Sequence, residues 1–133
     1  MMKQKLKAEF SEGISPDDIF RVRKINLNSE LYSDEEVDVA VGIAKEAVLK
    51  GEDASGYSFL FALVNGEKTG YSCFGKIRCT DERYKIYWLA VEEGVIGEEI
   101  VSMLLEETEN LISDEGGKRI YIETLSRQQH QSN

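Results

Sequence analysis

The segment Tyr84-Lys-Ile-Tyr-Trp-Leu-Ala-Val91 is followed by Glu-Glu-Gly-Val-Ile-Gly97 and then by a run with helical patterning. The first part predicts an apolar β-strand, and the glycines predict a short turn before a helix. A strand, a glycine-bearing turn and a helix in this order place backbone N–H groups where they can meet an anion. Negative charge crowds the same turn, from Glu92, Glu93, Glu98 and Glu99.

The composition predicts one domain. The chain has 133 residues, enough for a single modest core. The longest apolar runs, residues 59–64 and 87–91, are too short to cross a bilayer. The first seven residues carry positive charge but no apolar segment behind it, so they do not form a signal peptide. We therefore expect a cytoplasmic protein.

The net charge is −9, from 25 acidic and 16 basic residues. Nucleic acids and anionic membranes bind clustered positive charge, so this balance disfavours both as partners. It would suit a cationic amine substrate, but acidic surfaces are common and usually serve only solubility.

The cysteines are expected to be free thiols. Cys73 and Cys79 fall on what the pattern predicts as one strand and its end, and His130 is the only histidine. No Cys/His cluster accompanies them, so a metal site such as structural zinc is not expected. Residues along one strand are poorly placed to form a disulfide.

The first part of the chain predicts a strand and two helices. Residues 3–10 alternate weakly, with Leu6, Ala8 and Phe10 on one face. Ser15 as N-cap and Pro16 at the first helical position predict a helix to about residue 28. Its buried stripe would hold Ile19, Val22 and Ile25. Residues 33–36 form a capping box, which predicts a second helix that ends near Gly51.

Strands dominate the second part. Residues 57–64 are apolar on both faces, which is typical of a strand covered on both sides. Asn65-Gly66 predicts a hairpin turn, and residues 69–79 form the return strand. Residues 80–83 make a second turn into the strand at 84–91. A helix from 97 to about 113 ends at Gly116-Gly117, residues 118–125 form a last strand, and a polar, disordered tail follows at 128–133.

The predicted order is β-α-α-β-β-β-α-β, a single α/β domain of the α+β type with a mixed sheet and helices on both faces. With its motifs, this order resembles the GCN5-related N-acetyltransferase (GNAT) superfamily over residues 15–127. The resemblance rests on Gly70-Tyr-Ser-Cys-Phe-Gly-Lys-Ile-Arg-Cys-Thr80 ahead of Tyr87-Trp-Leu-Ala-Val91, then Gly97 with its aliphatic helix, and Gly117-Lys-Arg-Ile-Tyr-Ile-Glu-Thr124.

The resemblance implies an acetyl-CoA-dependent N-acetyltransferase acting on a small-molecule or peptide amine. In that family acetyl-CoA lies where the fourth strand splays from the fifth. The backbone of Leu89, Ala90 and Val91 would pair with the pantetheine arm. The N–H groups of the turn, from Gly94, Val95, Ile96 and Gly97, would hold the pyrophosphate.

Several alternatives stay open. Family members continue past the fifth strand with a helix and two strands that this chain is expected to lack. This end and the glutamates of the turn favour a truncated, non-catalytic interaction module as the second interpretation. Tyr87 and Trp88 could border an acyl pocket or belong to the core. Cys73 could be an acyl acceptor, but with no histidine near it in the sequence and an apolar strand around it we expect a buried, inert thiol. Glu123 is either a base or a solvated carboxylate. The bare edge of the last strand predicts a homodimer.

Overall fold

The chain forms a five-stranded mixed sheet with helices on both faces, seen in a computed structural model that describes residues 7–94 and 97–122. The elements are, in order, β1 (Glu9–Glu12), α1 (Asp18–Ser29), α2 (Asp34–Lys50), α3 (Glu52–Ser55), β2 (Ser58–Val64), β3 (Glu67–Lys76), β4 (Arg83–Val91), α4 (Gly97–Asp114) and β5 (Arg119–Ile122). The strands lie in the order β1-β2-β3-β4-β5. All neighbours are antiparallel except β4 and β5, which run parallel. The predicted α+β class is confirmed.

Two apolar layers cover the sheet. On one face, Phe59, Phe61 and Tyr71 pack with α1 and α2. On the other face, Leu60 and Ile86 pack with α4. Successive residues of β2 alternate between these layers, so the prediction that this strand is apolar and covered on both sides is confirmed.

The local signals at α2 and at the first hairpin are confirmed. The Ser33 hydroxyl accepts from the Glu36 N–H at 3.2 Å, and the Ser33 N–H donates to the Glu36 carboxylate at 2.8 Å. Gly51 ends the helix with a φ of 87°. Asn65 and Gly66 have φ values of 54° and 80°, the left-handed pair that a tight hairpin between twisted strands requires.

The predicted start of the first helix is wrong. The helix begins at Asp18, and Asp17 is its N-cap with helical dihedrals and no side-chain cap. Ser15 instead donates its N–H and its hydroxyl to the Asp18 carboxylate, at 2.9 and 3.1 Å. Pro16 lies in the turn before the helix. The side chain of Asp18, the first residue of the helix, therefore accepts the hydrogen bonds that hold the preceding turn in place.

Several strand boundaries also differ from the prediction. The first strand is Glu9–Glu12, which ends two residues beyond the predicted range of residues 3–10, and residues 3–6 of that range lie outside the described part. The third strand is Glu67–Lys76. Cys79 is thus not at a strand end but in the connection to β4, exposed and with a φ of 64°. Both cysteines are free, as expected.

The end of the fold follows the expected order. Gly116, with a φ of 97°, closes α4, and the Gly117 N–H donates to the Ile112 carbonyl at 2.9 Å. The last strand is described as Arg119–Ile122, and the rest of its predicted range, residues 123–125, lies outside the described residues, as do Glu123 and the predicted tail. No helix among the described residues is long and apolar enough to cross a membrane.

Candidate active site at the free edge of strand β4

A β-bulge interrupts the pairing of β3 with β4. Cys73 lies opposite Trp88 while Phe74 lies opposite Ile86, so Tyr87 is the extra residue. Tyr87 and Trp88 both pack toward the face covered by α1 and α2, and Ile86 packs on the α4 face. A bulge of this kind bends a strand and re-aims its side chains.

The described pairing of β4 with β5 reaches the residue directly before the bulge. The parallel ladder runs from Arg83 opposite Arg119 to Ile86 opposite Ile122. The described residues supply no strand on that side of β4 from Tyr87 to its end. Within residues 7–94 and 97–122 the strand is therefore central in its first half, as predicted, and its second half has no partner on the β5 side, an edge called the free edge of β4 below.

The free edge presents the peptide groups of Leu89 and Val91. The Glu92 N–H donates to the Thr69 carbonyl of the neighbouring chain segment at 2.9 Å. In an antiparallel ladder, the N–H and C=O groups of one residue point to the same side, and successive residues point to opposite sides. The N–H and C=O groups of Leu89 and Val91 consequently face away from β3, whereas those of Ala90, opposite Tyr71, face it.

A cleft of about 730 Å³ adjoins this edge. The described residues that line it come from the end of α1, the end of β4, the following turn and the start of α4: Ser29, Glu30, Leu31, Leu89, Val91, Glu92, Glu93, Gly94, Gly97, Glu98, Val101 and Ser102. Four of the residues predicted from the sequence therefore meet in one place. Ala90 is buried on the opposite face, and Val95 and Ile96 lie outside the described residues.

Most described N–H groups of the turn already have partners. Those of Glu92 and Glu93 donate to the carbonyls of Thr69 and Asn28, at 2.9 and 3.0 Å. The Gly97 N–H donates to the Gly94 carbonyl at 3.1 Å. After Gly97, the first turn of α4 offers further N–H donors for an anion, because the first N–H groups of a helix have no partner within their own helix.

Carboxylates dominate the charge of the cleft. None of the described residues lining it is a lysine or an arginine. The Glu92 carboxylate accepts from the Asn28 side chain at 2.9 Å and lies 4.0 Å from the Lys24 ammonium. A hydrogen bond with Glu30 and the charge of that carboxyl raise the pKa of Glu93. The negative charge predicted at this turn from the sequence is thus found among the residues that line the cleft.

Four aromatic rings border the α1–α2 side of the bulge. Tyr32 packs edge-on against Trp88 with 5.2 Å between ring centroids. Tyr57 packs edge-on against Tyr87 at 5.1 Å. Tyr87 and Trp88 are only partly buried, so they lie at the margin of the core and next to the free edge.

Cys73 lies fully inside the core on this face of the sheet. Burial raises the pKa of its thiol well above the usual range, so the neutral, unreactive form predominates. The described residues contain no group of three or more His, Cys, Asp or Glu side chains that could hold a metal ion.

The segment between α1 and α2 contributes two residues that the sequence did not indicate. Glu30 contacts Glu93, and the Tyr32 hydroxyl donates to the Leu89 carbonyl at 2.9 Å. The only sequence signal nearby is the capping box that follows Tyr32. It predicts a helix start and gives no information on a contact 57 residues away.

Solved structures with the same architecture identify the fold. A GNAT-family protein from Desulfovibrio desulfuricans matches with a TM-score of 0.81 and 28% identity, over 87% of this chain and 72% of that one. This is the fold of the GCN5-related N-acetyltransferase family. The resemblance predicted from the sequence is confirmed.

More distant GNAT structures share the fold alone. The PaiA N-acetyltransferase of Thermoplasma acidophilum, in complex with coenzyme A, has a TM-score of 0.63 at 16% identity, over 84% of this chain and 75% of that one. The aminoglycoside N-acetyltransferase AAC(6')-Iy, also in complex with coenzyme A, has a TM-score of 0.65 at 11% identity, over 99% and 90%. No family model and no curated protein matches the sequence.

Proposed function

We propose that the chain transfers an acetyl group from acetyl-CoA to an amine. The observation that carries the proposal is the free edge of β4 beyond the bulge, where the peptide groups of Leu89 and Val91 face a cleft beside the start of α4. Two proteins with the same fold were crystallised with coenzyme A, which supports this cleft as the cofactor site.

The pantetheine arm carries amide groups, so it can pair with a strand edge as another strand would. Leu89 and Val91 supply the pairing groups. Ala90 holds the edge in place because its own peptide pairs with Tyr71 of β3. The pyrophosphate would then lie at residues 94–97, against the first turn of α4. The arm thus runs from this turn along β4 toward the bulge.

The reaction needs positioning above all. The amine nitrogen attacks the carbonyl carbon of the thioester, the C–N bond forms as the C–S bond breaks, coenzyme A leaves as the thiolate, and the nitrogen releases a proton. Holding the two reactants in line supplies much of the rate enhancement for such a step. The cleft and the aromatic rings beside the bulge provide the two sides of that arrangement.

The acceptor is an amine, which is a cation before it loses its proton. A chain of net charge −9 attracts cations and raises their local concentration. The fold is also that of an aminoglycoside N-acetyltransferase, whose name denotes an amine-bearing substrate. Both points favour a polar, cationic acceptor over an apolar one.

The glutamates at the turn predict weak binding of the cofactor, in the high micromolar range. A carboxylate close to a phosphate costs about 1 kcal/mol at a partly exposed site, which is roughly fivefold in affinity. Glu93 and Glu98 both line the cleft. The same repulsion is screened by salt, so the affinity of the native chain for coenzyme A should rise with ionic strength.

Calorimetric titration with acetyl-CoA tests the proposal. We expect Glu93→Gln and Glu98→Gln each to bind several-fold more tightly than the native chain. Glu109→Gln is the matched control, because it removes the same charge from an exposed position on the same helix, α4, outside the residues that line the cleft. Its affinity should equal that of the native chain.

The outcomes separate the charge argument from the function. Low-micromolar affinity in the native chain would show that the glutamates do not oppose the cofactor. No heat in any of the four proteins would contradict the transferase. It would favour a non-catalytic GNAT-fold interaction module, the second candidate, for which the specific observation is the lack of a lysine or arginine among the described residues lining the cleft.

A further inference from the structure

The Tyr32 hydroxyl lies at the free edge of β4. It donates to the Leu89 carbonyl at 2.9 Å, and that carbonyl belongs to a peptide group that faces away from β3. A hydrogen bond from any amide N–H to the same carbonyl needs a nitrogen at nearly the same distance. The tyrosine hydroxyl thus occupies an acceptor position of a carbonyl that a strand-like ligand would also use.

Several contacts fix the position of this tyrosine. Its ring packs edge-on against Trp88 at 5.2 Å. On its C-terminal side, Ser33 and Glu36 form the capping box that begins α2. The ring is therefore held against Trp88, and the capping box fixes the backbone that follows Tyr32.

We propose that Tyr32 is a latch that occupies the edge of β4 until the acyl donor binds. The pantetheine arm displaces the hydroxyl from the Leu89 carbonyl, and the ring leaves Trp88. The inference rests on the proposed function, since it assigns the arm to this edge. It adds that the unbound protein blocks its own cofactor site with a residue from the segment between α1 and α2.

The latch weakens binding by the free energy of the contact that must break. A neutral hydrogen bond contributes a factor of roughly 2 to 12 to an equilibrium constant. Removing the hydroxyl while keeping the ring should therefore tighten binding by about that factor. Tyr32→Phe is the required change. Tyr57→Phe is the matched control, because Tyr57 also packs edge-on against an aromatic ring of β4, that of Tyr87.

Calorimetric titration with coenzyme A compares the native chain, Tyr32→Phe and Tyr57→Phe. We expect tighter binding only in Tyr32→Phe. Equal affinities in all three proteins would overturn the latch and leave the transferase intact. Weaker binding in Tyr32→Phe would also overturn it, because the hydroxyl would then be holding the arm. Absence of binding in all three would overturn the proposed function and the latch together.

A second measurement uses the native chain alone. Trp88 is the only tryptophan, so its indole protons are readily assigned by NMR. Nuclear Overhauser contacts between the rings of Tyr32 and Trp88 should be strong in the free protein and should vanish on saturation with coenzyme A. Persistence of these contacts in the saturated protein would overturn the latch.

Discussion

Tyr87 and Trp88 are neighbours in the chain, yet both side chains pack on the α1–α2 face of the sheet. A regular strand would send them to opposite faces. The bulge at Tyr87 absorbs one residue, so the alternation resumes with Leu89 on the α4 face. The pairing with the described part of β5 reaches Ile86, directly before the bulge. One inserted residue thus sets the aromatic border of the candidate site, next to the part of β4 that has no β5 partner among the described residues.

Gly75 and Gly56 approach each other closely near the Tyr87 ring of the bulge, and this gives the first prediction. A Cβ atom on Gly75 would overlap the carbonyl oxygen of Gly56 and would lie 3.7 Å from the Tyr87 ring. Gly75→Ala should therefore destabilise the fold by about 2 kcal/mol or more. Urea denaturation followed by circular dichroism measures the change.

Gly42→Ala is the control for this change. Gly42 is exposed within α2, and a Cβ atom there would meet no atom within 4 Å. Alanine lowers the backbone entropy of the unfolded chain, so this variant should be more stable by about 0.5–1 kcal/mol. Two variants of equal stability would show that the backbone at Gly75 moves away freely.

A buried hydrogen bond between β3 and α1 gives the second prediction. The Tyr71 hydroxyl donates to the Asn26 carbonyl oxygen Oδ1 at 2.6 Å, and both residues are fully buried. The Asn26 nitrogen Nδ2 has no hydrogen-bond partner among the described residues. Tyr71→Phe would leave the whole amide unpaired, which should cost about 1–3 kcal/mol in the free energy of unfolding.

A double variant tests the reason for that loss. Tyr71→Phe with Asn26→Leu removes both polar partners, and its stability should exceed that of Tyr71→Phe alone, because no buried group is left unsatisfied. Tyr121→Phe, at an exposed tyrosine of β5, should change stability by under about 0.5 kcal/mol. A double variant less stable than Tyr71→Phe would contradict this account.

Signals that act within a few residues predicted the fold well. The Ser33–Glu36 capping box and the Asn65-Gly66 turn are closed by their own hydrogen bonds and dihedral angles. The cap at Ser15 failed for a tertiary reason. The Asp18 carboxylate, which Ser15 contacts, also binds Lys68 from the β2–β3 hairpin, and no local pattern reports such a partner.

The residues of the candidate site also divide into those that local signals predict and those that depend on tertiary contacts. Gly94 and Gly97 could be predicted because a strand, a turn and a helix follow one another directly. Tyr32 could not, because its contact with Leu89 depends on how α1 and α2 cover the sheet. The bulge at Tyr87 escaped prediction as well, since two adjacent aromatic residues fit a regular strand equally well by composition.

Self-association is the third prediction. On the side away from β4, β5 has no strand partner among the described residues. Its residues Ile120 and Tyr121 are β-prone, and Tyr121 is 46% exposed. Unpaired edges of this kind tend to pair, so we expect a two-fold homodimer through β5 or the surface beside it. Sedimentation at micromolar concentration measures this, and a monomer with slowly exchanging Ile120 and Ile122 amides would contradict it.

The last prediction concerns the buried carboxylate of Asp18. It accepts from the Lys68 ammonium at 2.7 Å, from the Arg21 guanidinium at 3.0 Å and from the Ser15 N–H at 2.9 Å. Burial alone would raise its pKa, but the hydrogen bonds from Lys68 and Ser15 and the Lys68 charge outweigh burial and lower the pKa below its ordinary value.

The sign of the pH effect follows from this lowered pKa. A carboxyl group with a lower pKa in the folded than in the unfolded state stabilises the fold above the unfolded-state pKa. That stabilisation is lost as the pH falls through the folded-state pKa. Asp18→Asn should therefore cost about 2–3 kcal/mol at pH 7, and less in acid, where the native carboxyl is itself protonated.

Urea denaturation at neutral and at acidic pH measures both costs. Asp38→Asn is the matched control, since Asp38 pairs with Arg23 at 3.2 Å but is 70% exposed. Exposed ion pairs contribute little, so the control should lose under about 1 kcal/mol at either pH. If the loss in Asp18→Asn were the same at both pH values, the ionised form of Asp18 would not be the source of its stabilisation, and packing of the side chain would account for it instead.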